Sequence, residues 1–243
     1  MNNRKEKVIG ILGGMGPLAT SHFYSLIIRY TSVTEDQEHI HVIIDSNPAI
    51  PDRTAAILKN GENPLPLLIK TAQNLENAGA DLITIPCNTA HYFVDDIQKS
   101  ISLPIINMIK ETVDWLRDHS EKQKIGLLAT TGTIQTGLYN KYFANSDIEL
   151  IYPDENEQKI IMEIIYSIKK GKQLSISYKE ELSEIISKLY SKEICSVVTG
   201  CTELSMIADS IDSPVTIIDP LDILAKNIVR LIKGVRVENV CEQ

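Results

Sequence analysis

Residues 7–20, KVIGILGGMGPLAT, and residues 124–136, KIGLLATTGTIQT, align once Gly10 is placed on Gly126. Gly16 then falls on Gly132 and Thr20 on Thr136, at a common offset of 116 residues. Two cysteines extend the match: Cys87 follows the first glycine by 77 residues in ITIPCNTAH (83–91), and Cys201 follows the second by 75 in SVVTGCTEL (196–204). After each cysteine comes a proline-led apolar run, SLPIIN (102–107) and SPVTII (213–218). Three matched elements in one order predict two related halves facing each other. A chain of 243 residues is long enough to give both a core.

Short β-rich runs alternate with helical periods throughout. Strands are expected at 8–12, 41–45, 82–85, 104–107, 125–128, 148–151, 196–199 and 215–218. Helices are expected at 18–30, 65–77, 109–119, 158–169, 179–189 and 221–232, with Gly79 and Gly171 closing two of them. The strands are continuous apolar runs rather than alternations, the pattern of a parallel sheet covered on both faces. The fold class is therefore α/β, with two similar parallel-sheet halves. Ligands of such sheets sit at the carboxyl ends of the strands.

Composition narrows the function. The net charge is −8 with no basic stripe, which argues against nucleic acid or an anionic membrane as partner. The first seven residues are polar, and the apolar run 8–12 stops at Gly13-Gly14, too short for a signal-peptide core. A cytoplasmic protein is expected. Four cysteines, Cys87, Cys195, Cys201 and Cys241, show no CxxC spacing and no nearby histidine set, so neither disulfides nor a metal site is expected.

Cys87 and Cys201 each stand at a strand-to-helix turn, where free backbone N–H groups and a helix dipole favour negative charge. That environment pulls a thiol below its ordinary value of roughly 8.5 and makes thiolate available. Two such thiols on opposite sides of a cleft can take a proton from one face of a carbon and return one to the other, which inverts a stereocentre. Donors must stabilise the carbanion that this creates; Asn88, Thr89, Thr130, Thr131, Thr133 and Thr202 are the candidates, and no pyridoxal-lysine motif is evident. Cys195 and Cys241 read as small buried hydrophobes, and His91 as a packing histidine. Asp45 serves equally as a turn former. The glycine loop GILGGMG (10–16) is neither GxGxxG nor a P-loop. Arg53, at the end of the proline-braced NPAIPDRT (47–54), can grip a carboxylate with two parallel hydrogen bonds, although taken alone it serves as well as a surface ion-pair residue. Lys169 ends a helix beside Lys170 and Gly171, where a cation also offsets the dipole.

Taken together, GILGGMGPLAT (10–20), NPAIPDRT (47–54), PCNTAH (86–91), GLLATTGT (126–133) and GCTE (200–203) resemble the cofactor-independent aspartate/glutamate racemase family over essentially the whole chain. The resemblance implies a homodimer and two-base inversion of an acidic amino acid without a cofactor. It implies two α/β domains about a pseudo-twofold axis with the active site between them, and a crossed chain, with 1–102 plus 213–243 forming one domain and 103–212 the other. It puts Cys87 and Cys201 on the two catalytic positions, and Arg53 and Lys169 on residues binding the side-chain carboxylate. Asn88, Thr89 and Thr130 fall near the α-carboxylate, and Met15 in a loop lining the site. Some broad-specificity members carry threonine at the first thiol position; this chain has Cys87. The glutamate racemases open with an acidic-Ser-Gly sequence where this chain has GGMGP (13–17), which favours aspartate. The alternatives are a broad-specificity aspartate/glutamate racemase and, from another class, a small-ligand-binding protein without turnover. Hydantoin racemase-like and decarboxylase relatives share the fold, but Arg53 argues for a dianionic substrate.

Overall fold

The structure, a computed structural model, describes residues 7–119, 123–144, 146–171 and 176–234. All eight expected strands form, in two four-stranded sheets. The first holds β1 (Ile9–Gly13), β2 (Val42–Ser46), β3 (Leu82–Thr84) and β4 (Ile105–Ile106), in the order β2-β1-β3-β4. The second holds β5 (Lys124–Ala129), β6 (Glu149–Ile151), β7 (Ile194–Gly200) and β8 (Thr216–Ile218), in the order β6-β5-β7-β8. The permutation is the same and every pairing is parallel. The aligned glycines occupy equivalent places: a Cβ at Gly10 would come within 3.1 Å of Ala80 and 3.3 Å of Leu75 in a covering helix, and one at Gly126 within 3.1 Å of Ile194 in β7 and 3.3 Å of Leu189 in a covering helix. Close helix-on-strand packing therefore fixes glycine there.

The six long helices expected from periodicity are α1 (Pro17–Thr31), α3 (Leu65–Asn77), α5 (Met108–His119), α8 (Glu155–Lys169), α9 (Ile176–Tyr190) and α11 (Pro220–Lys233). Five more are short: α4 (Val94–Gln98) and α10 (Thr202–Ser205), which follow the two cysteine turns, and α2 (Arg53–Ile57), α6 (Thr131–Gln135) and α7 (Leu138–Phe143), which were not expected. Each is under two turns, too short for a 3.6-residue period to register. Cys87 leads into a 3₁₀ turn, Thr89–Phe93, before α4 begins.

The crossing of the chain is visible in the packing. One face of the first sheet is covered by α3 and α4 through Leu68, Ala72, Leu75 and Ile97. Its other face, Ile9, Ile11 and Leu82, lies under Phe23 and Ile27 of α1 and Leu224 and Ile228 of α11. The second sheet is covered by α8 and α9 through Ile161, Ile165, Ile185 and Ile186 on one side, and by α5 and α7 through Val113, Leu116, Tyr139 and Phe143 on the other. Each fully buried leucine or isoleucine contributes about 1.5–3 kcal/mol of burial. So α5 leaves the first sheet to cover the second, and α11 leaves the second to cover the first. The domain boundaries expected at 102/103 and 212/213 are corrected by sheet membership. Pairing of Ile83 with Ile105 keeps β4 in the first sheet, and pairing of Val197 with Ile217 keeps β8 in the second. The proline-led runs are edge strands that finish a sheet; the change of half comes after them.

Candidate active site

The turns after β1, β3, β5 and β7 converge between the halves. Cys87 and Cys201 are both buried, 5% and 4% exposed. One ammonium feels both. Burial works against the charge of Lys169, but Glu203, then Cys201 and Cys87, hold its pKa above the ordinary lysine value, with Arg53 opposing. The Lys169 Nζ donates to the Met15 carbonyl at 2.8 Å and pairs with Glu203 Oε1 at 3.0 Å. Lys169 thus spans from α8 of the second half to the glycine loop of the first, whereas Lys170 lines an outer groove with Tyr166 and Tyr178.

Arg53 is 7% exposed and reaches the same carbonyl: its Nη2 donates to Met15 O at 2.8 Å, while Nη1 donates to Pro51 O at 3.1 Å. Its Nε has no hydrogen-bond partner. Two cations on one backbone oxygen draw Met15 into the cluster through its carbonyl rather than its thioether. The approach depends on Gly14. Its φ is +92°, and a Cβ there would stand 2.4 Å from the Asn47 backbone, so only glycine lets the loop carrying Arg53 lie against the glycine loop. Asp52 caps α2 by accepting from Ala55 N at 2.7 Å and accepts from Tyr166 OH of the second half at 3.2 Å.

Glu203 is the residue that sequence reasoning missed. It is 2% exposed, and its Oε1 accepts from Gly16 N at 3.1 Å as well as from Lys169. The Cys201 thiol donates to its Oε2 at 3.0 Å. Burial and then the Glu203 carboxylate push the Cys201 pKa well above its ordinary value, with Lys169 opposing. This corrects the expected depression. The helix behind Cys201, α10, has only four residues, too few dipoles to outweigh a buried carboxylate in contact. Cys201 is held as a thiol. The signal was present in GCTE, but an acid two residues after a cysteine disfavours thiolate, so it did not fit the expected activation.

The surroundings of Cys87 differ. The Met108 N–H donates to His91 Nε2 at 3.1 Å, which leaves Nδ1–H to donate to the Cys87 carbonyl at 2.9 Å. Burial holds the His91 pKa down at about 4. A neutral His91 therefore steadies the backbone of Cys87, as a packing histidine does. Two residues past Cys87, Thr89 joins a triangle of buried hydroxyls with Thr130 at 2.9 Å and Thr133 at 3.0 Å. Thr130 and Thr133 close it at 3.0 Å, and Thr130 also caps α6 through Thr133 N. Asn88 is 2% exposed; its Oδ1 accepts from Tyr139 OH at 2.7 Å and its Nδ2 has no partner.

Of the other candidates, Thr131 bonds Gln158 and the Met162 sulfur, and Asp45 accepts from Asn74 at 3.0 Å; both lie outside this cluster. Cys195 is exposed, contrary to the expectation of a buried hydrophobe. It is the extra residue where Lys124 pairs with Ile194 and Ile125 with Ser196, and this bulge turns it outward. Cys241 lies outside the described residues. Chemically the cluster offers two cations, one carboxylate, two thiols and a set of neutral donors, which suits an anionic ligand.

Residues 12–228 match the family model described as Asp/Glu/Hydantoin racemase. The chain is 31% identical over 228 residues to the broad specificity amino-acid racemase RacX of Bacillus subtilis, covering 91% of this chain and 96% of that one. Among solved structures, the Picrophilus torridus aspartate racemase superposes with a TM-score of 0.81 at 29% identity, covering 96% of each chain. An aspartate racemase homologue from Pyrococcus horikoshii gives 0.73 at 27% identity, covering 93% of this chain and 99% of that one.

Proposed function

The chain belongs to the Asp/Glu/Hydantoin racemase family, and from that premise we propose that it interconverts L- and D-aspartate, without a cofactor, using Cys87 and Cys201 as the two acid–base groups. The observation that supports this reading is that both buried thiols act electrostatically on the one Lys169 ammonium, in a cluster to which both halves contribute.

In one direction the Cys87 thiolate removes the α-proton: the C–H bond breaks and an S–H bond forms. Cys201, kept as thiol by burial and Glu203, delivers its proton to the opposite face of the same carbon. The product leaves with inverted configuration, and the two sulfurs have exchanged protonation states. Run backwards, the same steps serve the other enantiomer. The Nε edge of Arg53 and Lys169 receive the side-chain carboxylate. Asn88, Thr89 and Thr130 face the α-carboxylate, where charge builds as the proton leaves and preorganised donors have most effect.

A broad-specificity racemase is the second reading, favoured by the likeness to RacX over nearly the full chain. One methylene separates aspartate from glutamate and discriminates only about 10–200-fold in a pocket. We also read the protein as a cytoplasmic homodimer. Its free cysteines Cys87, Cys195 and Cys201 suit a reducing compartment. Tyr24 and Ile28, one turn apart on α1, and Leu18 leave apolar surface exposed for a second copy. Among the described residues no helix is long and apolar enough to cross a membrane.

The test is to incubate the protein with L-aspartate and, separately, L-glutamate in heavy water without added cofactor, following the α-proton by NMR and the D-isomer by chiral chromatography. Exchange with accumulation of D-aspartate is expected; comparable rates on both acids establish the broad reading. A protein that binds aspartate and leaves its α-proton intact is a binder and not this enzyme.

A further inference from the structure

Asn88 has one polar atom engaged and one free. Its amide is 2% exposed, Oδ1 accepts from Tyr139 OH at 2.7 Å, and Nδ2 is buried with no partner. A buried amide N–H₂ without an acceptor costs about 1–3 kcal/mol. Proteins keep few such groups, and one beside a candidate site implies an acceptor that arrives with a ligand. The amide belongs to the residue directly after Cys87, in the turn that carries the first thiol.

Left alone, the amide could rotate by half a turn and present its oxygen instead, repelling a carboxylate. Rotation would break the hydrogen bond that this oxygen accepts from Tyr139 OH and would oblige the hydroxyl to give its proton to another acceptor. The tyrosine is 1% exposed and packs with Val113, Leu116 and Phe143 on the second sheet. Burial first, then Asp219 and Cys201, push its hydroxyl pKa far above the ordinary tyrosine value, so it keeps its proton at any working pH. The contact crosses from one half to the other.

We propose that Tyr139 is a positioning residue: by holding the Asn88 oxygen from the opposite half, it aims Asn88 Nδ2 as a donor at the α-carboxylate of the substrate. This rests on the acidic amino-acid reading of the site. The donor that stabilises charge next to Cys87 is set up only when the two halves are together.

Tyr139→Phe keeps the ring in the core and removes only the hydroxyl. Racemisation kinetics on L-aspartate should show kcat/KM down about tenfold, or roughly 1.4 kcal/mol. In an Asn88→Ala background the same substitution should cost less than twofold, because there is no amide left to orient. Inhibition by succinate, which carries both carboxylates, should weaken in Tyr139→Phe, while inhibition by β-alanine, which lacks the α-carboxylate, should not. Equal losses in both backgrounds, or equal weakening of both inhibitors, would assign Tyr139 to packing alone and overturn the proposal. The side-chain amide NMR signals of Asn88 give a readout without turnover. They should move and broaden in Tyr139→Phe protein, and unchanged signals also overturn it. If the wild type racemises nothing yet those signals respond, the functional reading has failed and the orienting contact stands.

Discussion

Two residues after its thiol, one half of the molecule carries Thr89 and the other Glu203. Four residues after, one carries His91 and the other Ser205. The strand order is duplicated, and so is one mechanical role. In both halves the fourth residue after the thiol anchors the turn to the start of the crossing helix. His91 does this by accepting from Met108 N, and Ser205 by donating to Asp219 Oδ1 at 2.5 Å, the carboxylate that caps α11. At position two the halves diverge. Thr89 enters a neutral hydroxyl triangle, while Glu203 puts a buried charge against Cys201. A symmetric backbone thus holds two thiols in unlike electrostatic surroundings, only one of them against a buried carboxylate.

The largest expected effect is loss of either thiol. Cys87→Ala and Cys201→Ala should each lower racemisation by about 10²–10⁴-fold, the usual scale for a general acid or base, in a chiral assay. Next is the residue at position two. Glu203→Gln removes the carboxylate that raises Cys201, so the limb of the pH–kcat/KM profile set by Cys201 losing its proton should move to lower pH. The equivalent change in the other half, Thr89→Val, should leave that limb in place. Equal shifts in the two variants would erase the asymmetry.

The anchors at position four should give stability opposite pH dependences, measured by urea unfolding between pH 4 and 7. The folded pKa of His91, about 4, lies below that of an unfolded histidine, about 6.5. Its contribution is complete above pH 6.5 and is lost as pH falls through the folded value, on the order of 3 kcal/mol in all. Burial raises the folded pKa of Asp219 to about 6, above roughly 3.9 for an unfolded aspartate. Its contribution is complete below the unfolded value and is lost as pH rises through the folded one. Asp219 is only partly buried, so about 1–2 kcal/mol is expected. His91→Gln should flatten the first slope and Asp219→Asn the second. The smallest effect belongs to Cys195→Ala. An exposed bulge residue should change stability by less than about 0.5 kcal/mol and leave racemisation as it was.

The sequence was most informative where repetition or periodicity was strong. The buried apolar runs exposed all eight strands, and the glycine and cysteine spacings exposed the duplication. Three short helices, α2, α6 and α7, escaped because a turn or two of helix carries no readable period. Glu203 and Tyr139 escaped for a different reason. Their meaning lies in contacts with Gly16, 187 residues away, and with Asn88, 51 residues away, which only the folded chain creates. Cys201 was misjudged because the turn geometry was legible while the contact with the neighbouring carboxylate was not. The boundaries between halves slipped for a similar reason: a proline-led edge strand looks like a beginning until its pairing partner is known.

The most direct measurement is deuterium exchange by the two single-thiol variants, each given L-aspartate and D-aspartate separately in heavy water. Opposed thiols predict that Cys87→Ala and Cys201→Ala each exchange the α-proton of one enantiomer only, opposite ones, with retention of configuration. Exchange of the same enantiomer by both variants, or continued racemisation by either at the wild-type rate, would contradict two sulfurs acting on opposite faces of one carbon.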